Sequence, residues 1–215
     1  MLDNLKVGTR LALGFGVALF TIIVLNVISL TNLGSLDESI EDIVHDKFPK
    51  TVWANEIIDA INDNSRAIRN VFLLNDPEQI AEEMARLTKA KVLVDARQDS
   101  LDRTVLSEEG KKLVAKFKDI RANEYFPVRE KMFKYLNNGN RDAAVEMLFG
   151  DFRTAQRNYL DACEAIINYQ VKLVQEAGVE ADETHSFVTT LTLVLSLVAL
   201  LFVVGAAYFI TISIT

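Results

Sequence analysis

Two histidines, one cysteine and three prolines among 215 residues leave little material for several kinds of protein. A lone Cys163 closes no internal disulfide, so a cystine-stapled scaffold is excluded, and the residue reads as a small buried apolar group rather than a redox centre. His45 and His185 stand near the ends of the polar middle of the chain, and no Cys, His or Asp falls at metal-ligand spacing. Neither a metal nor any other cofactor is expected. No converging cluster of titratable groups suggests catalysis, and Gly14-Phe15-Gly16 lies inside an apolar run rather than in a phosphate-cradling loop, so the chain does not read as an enzyme. No stretch shows the period-2 alternation of a sheet. With 50% hydrophobic and 25% charged residues, the composition is neither disordered nor collagen-like.

Charge is missing altogether from two stretches. Leu11–Leu30 and Phe187–Ile214 contain no Asp, Glu, Lys or Arg, and each is long enough for a bilayer core that takes about 20 residues. We read 11–30 and 187–210 as transmembrane helices, 1–10 as a cytoplasmic tail and 211–215 as the start of a cytoplasmic linker. Lys6 and Arg10 outweigh Asp3 in the tail, and short basic flanks stay inside. That orientation puts 31–186 outside, in the periplasm of a Gram-negative cell whose inner membrane holds both spans. The N-terminal run is longer than a signal-peptide core and has no small-x-small cleavage pattern before Asp37, which favours a retained span. The outer segment is acidic by about eight charges, which excludes a nucleic-acid partner.

The outer segment reads as one all-α domain. Trp53, Ile57, Ala60, Ile61, Ile68, Val71 and Phe72 form one stripe of a first helix, restarted or kinked at Pro49. Asp76-Pro77-Glu78-Gln79 signals the next start: an acid N-cap, proline at the first helical position and a glutamine placed for a capping box. The second stripe is Ile80, Met84, Leu87, Val94, Leu101 and Val105. Ser107-Glu108-Glu109-Gly110 caps a third helix that ends at Asn137-Asn138-Gly139, and a fourth begins after Asn140, bends at Gly150, places Phe152, Ala155, Tyr159, Ala162, Ile166, Tyr169 and Leu173 on one face and continues into the second span. Helices of this length are expected to pack as an up-down-up-down four-helix bundle flanked by the two transmembrane helices.

The anomaly lies on the third helix. With Phe117 as zero, Leu113, Ile120, Val128, Met132, Tyr135 and Leu136 define an interior face between about −60° and +100°. Arg121 falls at about +40° and Tyr125 at about +80°, both inward, and Arg129 sits at the edge at about +120°. A guanidinium buried without a partner costs several kcal/mol, so the interior must hold carboxylates, water or a ligand. Glu124, Glu130, Asp99 and Asp102 are the local candidates for structural ion pairs. The alternative is a small organic acid: arginine forks fit carboxylates bidentately, and two of them with a tyrosine suit a di- or tricarboxylate. On the second helix Arg97 or Gln98 interrupts the apolar stripe, and Thr104 lies one turn beyond Leu101, either facing the ligand or bonded to its own backbone. On the back face of the first helix, Arg66 and Arg69 share a surface with Asn55, Ile58, Asn62 and Leu73 that suggests a partner helix, with Asp63 placed to pair with Arg66.

Leu5-Lys6-Val7-Gly8-Thr9-Arg10-Leu11 followed by Gly14-Phe15 resembles the N-terminus of bacterial methyl-accepting chemotaxis proteins with four-helix-bundle sensors, and the order of tail, span, helical domain and span matches as well. The resemblance implies a homodimer paired along the first sensor helix. It also implies that arginines near that helix's far end, at the positions of Arg66 and Arg69, grip a ligand carboxylate. It further implies that a HAMP linker and kinase-control region follow Thr215 and engage a cytoplasmic histidine kinase and coupling protein. An input domain for a sensor histidine kinase or cyclic-nucleotide enzyme, and a ligand-free structural stalk, are the alternatives.

Overall fold

The structure, a computed structural model, describes residues 7–214. Leu5 and Lys6, on which the N-terminal pattern and the orientation rest, and Thr215 lie outside that range. The described residues are helical throughout, apart from short connections, as the patterning indicates. In chain order the α-helices are α1 (Val7–Glu41), α2 (Phe48–Leu73), α3 (Pro77–Thr104), α4 (Glu108–Ile120), α5 (Phe126–Asn137), α6 (Arg141–Phe149) and α7 (Asp151–Ile214). The chain divides into two compact units, residues 43–175 and the residues up to 42 together with those from 176 onward.

Within residues 43–175 the rods are α2, α3, α4 with α5, and α6 with the first part of α7. Cross-links fix their antiparallel order. Glu83 on α3 accepts from Asn70 Nδ2 at 2.9 Å near one end of α2, while Arg97 pairs with Glu56 towards the other. Lys118 on α4 meets Asp102 on α3 at 2.7 Å. On α7, Asn158 donates to Glu124 at 2.8 Å, and the Cys163 thiol donates to the Ala54 carbonyl at 3.2 Å, which closes the bundle back onto α2. That contact settles Cys163: it is fully buried, and burial pushes its thiol up to about 12. The core takes Ile57, Ile61, Ile68 and Phe72 from α2, Leu87, Val94 and Leu101 from α3, Phe117 and Ile120 from α4, and Phe152, Tyr159 and Ile166 from α7. Met84 is exposed despite its place in the expected α3 stripe, because α3 closes against the core only from Leu87 onward.

The caps follow the sequence signals with one correction. Asp76 Oδ1 accepts from Glu78 N at 3.0 Å and Ser107 Oγ from Gly110 N at 3.2 Å, but Gln79 closes no capping box. Gly139, at φ 76°, ends α5, and Gly150 separates α6 from α7 as the bend required. Each of two prolines follows a π turn. Asp42–Lys47 precedes Pro49 and Arg121–Tyr125 precedes Pro127, so that each ring, which would collide with the carbonyl four residues back, meets a widened turn instead.

Gly110 marks a close approach. A Cβ there would lie 2.5 Å from Val105 Cγ1, 2.7 Å from Ser107 Oγ and 3.2 Å from Tyr169 Cε1. Val105 is buried and short, so it cannot swing away. Gly110→Ala is expected to cost about 1–3 kcal/mol through overpacking, although alanine is the better helix former. A thermal melt followed by circular dichroism checks this; a variant more stable than the parent would show that the turn yields freely.

The other unit holds the two helices long and apolar enough to cross a membrane. Polar groups in these segments turn inward to their own helix: Thr21 donates to Val17 O at 2.9 Å and Asn26 to Ile22 O at 2.8 Å. Such bonds remove the cost of carrying a hydroxyl or amide in an apolar stretch. His185, exposed, lines a cleft of about 330 Å³ together with Asn32, Ser35, Ser39 and Thr189.

Candidate ligand-binding site

Arg121 opens the π turn, in which Phe126 N–H reaches back to the Arg121 carbonyl. The wide turn places Arg121 and Tyr125 both inward: Arg121 is 6% exposed and Tyr125 1%. The guanidinium donates to Gln98 Oε1 at 2.8 Å and pairs with Asp95, both on α3. Gln98 is thus the polar interruption of the α3 stripe, and it receives the cation of the third rod. The partner is Asp95 rather than any carboxylate expected from the sequence. Asp102 is taken by Lys118 and Glu124 by Asn158, while Asp99 and Glu130 are exposed. Burial of Asp95 opposes its ionisation, but Lys91, at 2.7 Å, and Arg121 outweigh that and hold its carboxyl below the ordinary value.

An aromatic layer lies against this pair. Tyr125 packs on Phe152 and Tyr159 at centroid distances of 5.5 and 5.0 Å, and Phe117 stacks on Tyr159 at 5.0 Å. Phe126 lies between two cations, with Arg121 at 5.1 Å and Arg129 at 4.9 Å from its ring centre. The hydroxyls of Tyr125 and Tyr159 are buried and have no hydrogen-bond partner. Burial pushes Tyr125 up to about 12 and raises Tyr159 too, against the pull of nearby arginines. Arg129 is close enough to favour the ionised Tyr125 through its charge and by donating towards the phenol oxygen, although it closes no hydrogen bond of ordinary geometry. Its charge meets no carboxylate among the described residues, and it faces a groove of about 510 Å³ between α3 and α5 that also carries Lys91, Lys134 and Thr88.

The remaining candidates fall elsewhere. The Thr104 hydroxyl donates to its own helix at Ser100 O, 2.8 Å away, and lies roughly 9 Å further along α3 than Gln98. Arg66 is exposed and reaches Asp63 at 3.4 Å, the local pair its spacing allows. Arg69 is exposed on a different groove, against α6 and α7. The structure therefore gathers Arg121, Tyr125 and Arg129, and leaves Thr104, Arg66 and Arg69 apart from them. Asp95, Phe126 and the Tyr159 hydroxyl are additions. Tyr159 is legible in the sequence as a core residue, but nothing there shows that its hydroxyl is left unpaired.

Antiparallel rods around a charged and aromatic centre, in a chain with two helices long and apolar enough to cross a membrane, define an all-α helical-bundle protein. More particularly, the chain belongs to the family described as the four helix bundle sensory module for signal transduction, which it matches over residues 4–185. The resemblance to chemotaxis transducers is thereby borne out, and that family is one of signalling modules, not enzymes. No curated protein and no solved structure matches the chain.

Proposed function

We propose that this module senses a small organic carboxylate, a di- or tricarboxylate, on the periplasmic side of a bacterial inner membrane, with Arg129 and the Tyr125 hydroxyl as its main grips. The observation that carries this reading is the pair of buried tyrosine hydroxyls without acceptors beside cationic side chains. An unsatisfied buried donor costs about 1–3 kcal/mol, so an acceptor that reached these hydroxyls would recover that cost as well as a charge-assisted bond to Arg129. Arg121 is already neutralised by Asp95, and so positions Phe126 and the tyrosines rather than holding the ligand.

The same reading makes the module a homodimer along the back face of α2, where Asn55, Arg66 and Leu73 are exposed. Ligand joining rods would favour one packing of the bundle, and a shift of about 1–2 Å in α7, which runs unbroken to Ile214, would carry the change to a histidine kinase and its coupling protein through a control region beyond Thr215. A sensor kinase or cyclic-nucleotide enzyme is the alternative output, to be read from the residues that follow.

Calorimetric titration of the full chain in lipid nanodiscs with citrate, malate and succinate tests the site. Arg129→Ala is expected to weaken binding tenfold or more. Tyr125→Phe should weaken it several-fold while leaving the unliganded protein at least as stable, since the lost hydroxyl had no partner. Carboxylates that bind both variants as well as the parent would remove the assignment.

A further inference from the structure

Asp95 serves two cations in different surroundings. One is Arg121 on the π turn, with a buried side chain; the other is Lys91, one turn earlier on α3, half in solvent and 2.7 Å away. Lys91 also lines the groove that Arg129 faces. It is the cation that α3 brings to that groove, whereas Arg129 and Lys134 come from α5, with Glu130 beside them. One carboxylate thus joins a buried positive charge to another at the mouth of the candidate site. Asp63, which also serves two arginines, makes no such link, because Arg66 and Arg86 both stand well out in solvent.

Of the two bonds that Asp95 makes, the one to Lys91 is easily given up. Both side chains of that pair are largely exposed, and ion pairs in such surroundings contribute little. The lysine also precedes the acid along the helix, the less favourable order at this spacing. Should Lys91 turn into the groove, Asp95 still holds Arg121, and Arg121 still donates to Gln98, so no buried charge loses its partner. Releasing Arg121 instead would leave a buried guanidinium without a counter-charge. Exchange therefore runs one way, outward through Lys91. Thr88, the other polar residue of α3 in the groove, is committed to its own helix through a bond to Met84 O at 3.2 Å.

We infer that Lys91 sets the charge preference of the carboxylate site: it leaves Asp95 for a third carboxylate of the ligand, so that a tricarboxylate is held across α3 and α5, whereas a dicarboxylate leaves the Lys91–Asp95 pair intact. The inference rests on Arg129 as the main grip. It also gives occupancy a route inward. With Lys91 drawn away, Asp95 answers Arg121 alone, and Arg121 opens the π turn on which Tyr125 is carried.

Tricarballylate and glutarate are the probes, because they share one diacid chain and differ only by the central carboxylate. Each is titrated by calorimetry into the full chain in nanodiscs, at a pH where every carboxyl of the probe is ionised. The parent is expected to bind tricarballylate about tenfold more tightly than glutarate, through one added charge-assisted contact. Lys91→Met should bring the two acids within about twofold of each other while leaving glutarate as in the parent, and Lys91→Arg should restore the preference. Lys134→Met, the same loss of charge from the opposite wall, should keep it. Lys91→Met should also melt with the parent, since the pair it breaks is exposed. Equal weakening of both acids by Lys91→Met, or loss of the preference in Lys134→Met as well, would show that only the net charge of the groove matters and would overturn the assignment. Glutarate binding that survives Arg129→Ala unchanged would remove the carboxylate site itself, and this inference with it. Glutarate binding that needs Arg129, combined with a preference that ignores Lys91, would end this inference alone.

Discussion

Phe117→Ala is expected to destabilise the bundle by about 3–5 kcal/mol, the loss typical of a fully buried phenyl ring. Phe117 is wholly buried and stacks on Tyr159 at 5.0 Å with an interplanar angle of 24°, so the substitution removes transfer energy, leaves a cavity and ends an aromatic contact. Water gives little relief. A water stable in such a space needs two or more polar partners, and the wall that stacks on Phe117 offers chiefly the Tyr159 hydroxyl. The loss should read in a melt of the full chain as a fall of several degrees for each kcal/mol. A change under about 1 kcal/mol would mean that α4 does not pack against α7 at this level.

The position of that ring also shows what the sequence reveals and what it hides. Stripes at about 100° per residue pick out Phe117, Ile61, Leu101 and Tyr159 because a helix buries one face and the phase holds for as long as the helix is regular. The phase shifts at the π turn without being lost: Met132 is fully buried and Val128, Tyr135 and Leu136 still pack against the core, as expected. An extra residue in Arg121–Tyr125 rotates everything after it by about 100° relative to an unbroken α-helix. Phe126 and Phe133, absent from the expected interior face, consequently pack against the core. Pro127 is the sequence mark of the widened turn, but proline alone does not distinguish a π turn from a kink or a stop. Caps fare better, because a short side chain and the nearby backbone N–H are enough to define them, as at Asp76, Ser107 and Asn140.

The candidate site was legible by type and not by partner. Arg121 and Tyr125 stand out because polar groups at interior phase are costly. Which acid answers Arg121 depends on the vertical register of α3 against α4: a shift of one turn exchanges Asp99 for Asp95, and a shift of two turns exchanges Asp102 for it. The connection of only a few residues after Thr104 restricts that register without fixing it; the Lys118–Asp102 pair and the packing of Leu101 complete the choice. The groove that Arg69 lines was hidden for another reason: its walls come from residues 65–69 and 148–164, and only the antiparallel closure of α7 onto α2 unites them.

Asp95→Ala is expected to cost about 2–3 kcal/mol, or about 5–10 °C in the melt, and to do more damage than Arg121→Met. The two halves of the pair are unequally placed. The Arg121 side chain is 7% exposed and that of Asp95 42%, so solvent already screens the carboxylate while the guanidinium depends on it. Removing Asp95 leaves a buried cation with Gln98 and the Phe126 face alone. Removing the cation and keeping its apolar stem leaves Asp95 half in water and still paired with Lys91 at 2.7 Å. Acid gives a second readout of the same asymmetry. Because the folded carboxyl titrates below its unfolded value, the stability it confers is present above about pH 4 and is lost as pH falls through the folded value. Asp95→Asn, which keeps a hydrogen-bond acceptor but cannot ionise, should therefore be less stable than the parent at neutral pH and converge on it towards pH 2. Parallel stability curves for the two proteins across that range would show that Asp95 does not neutralise Arg121.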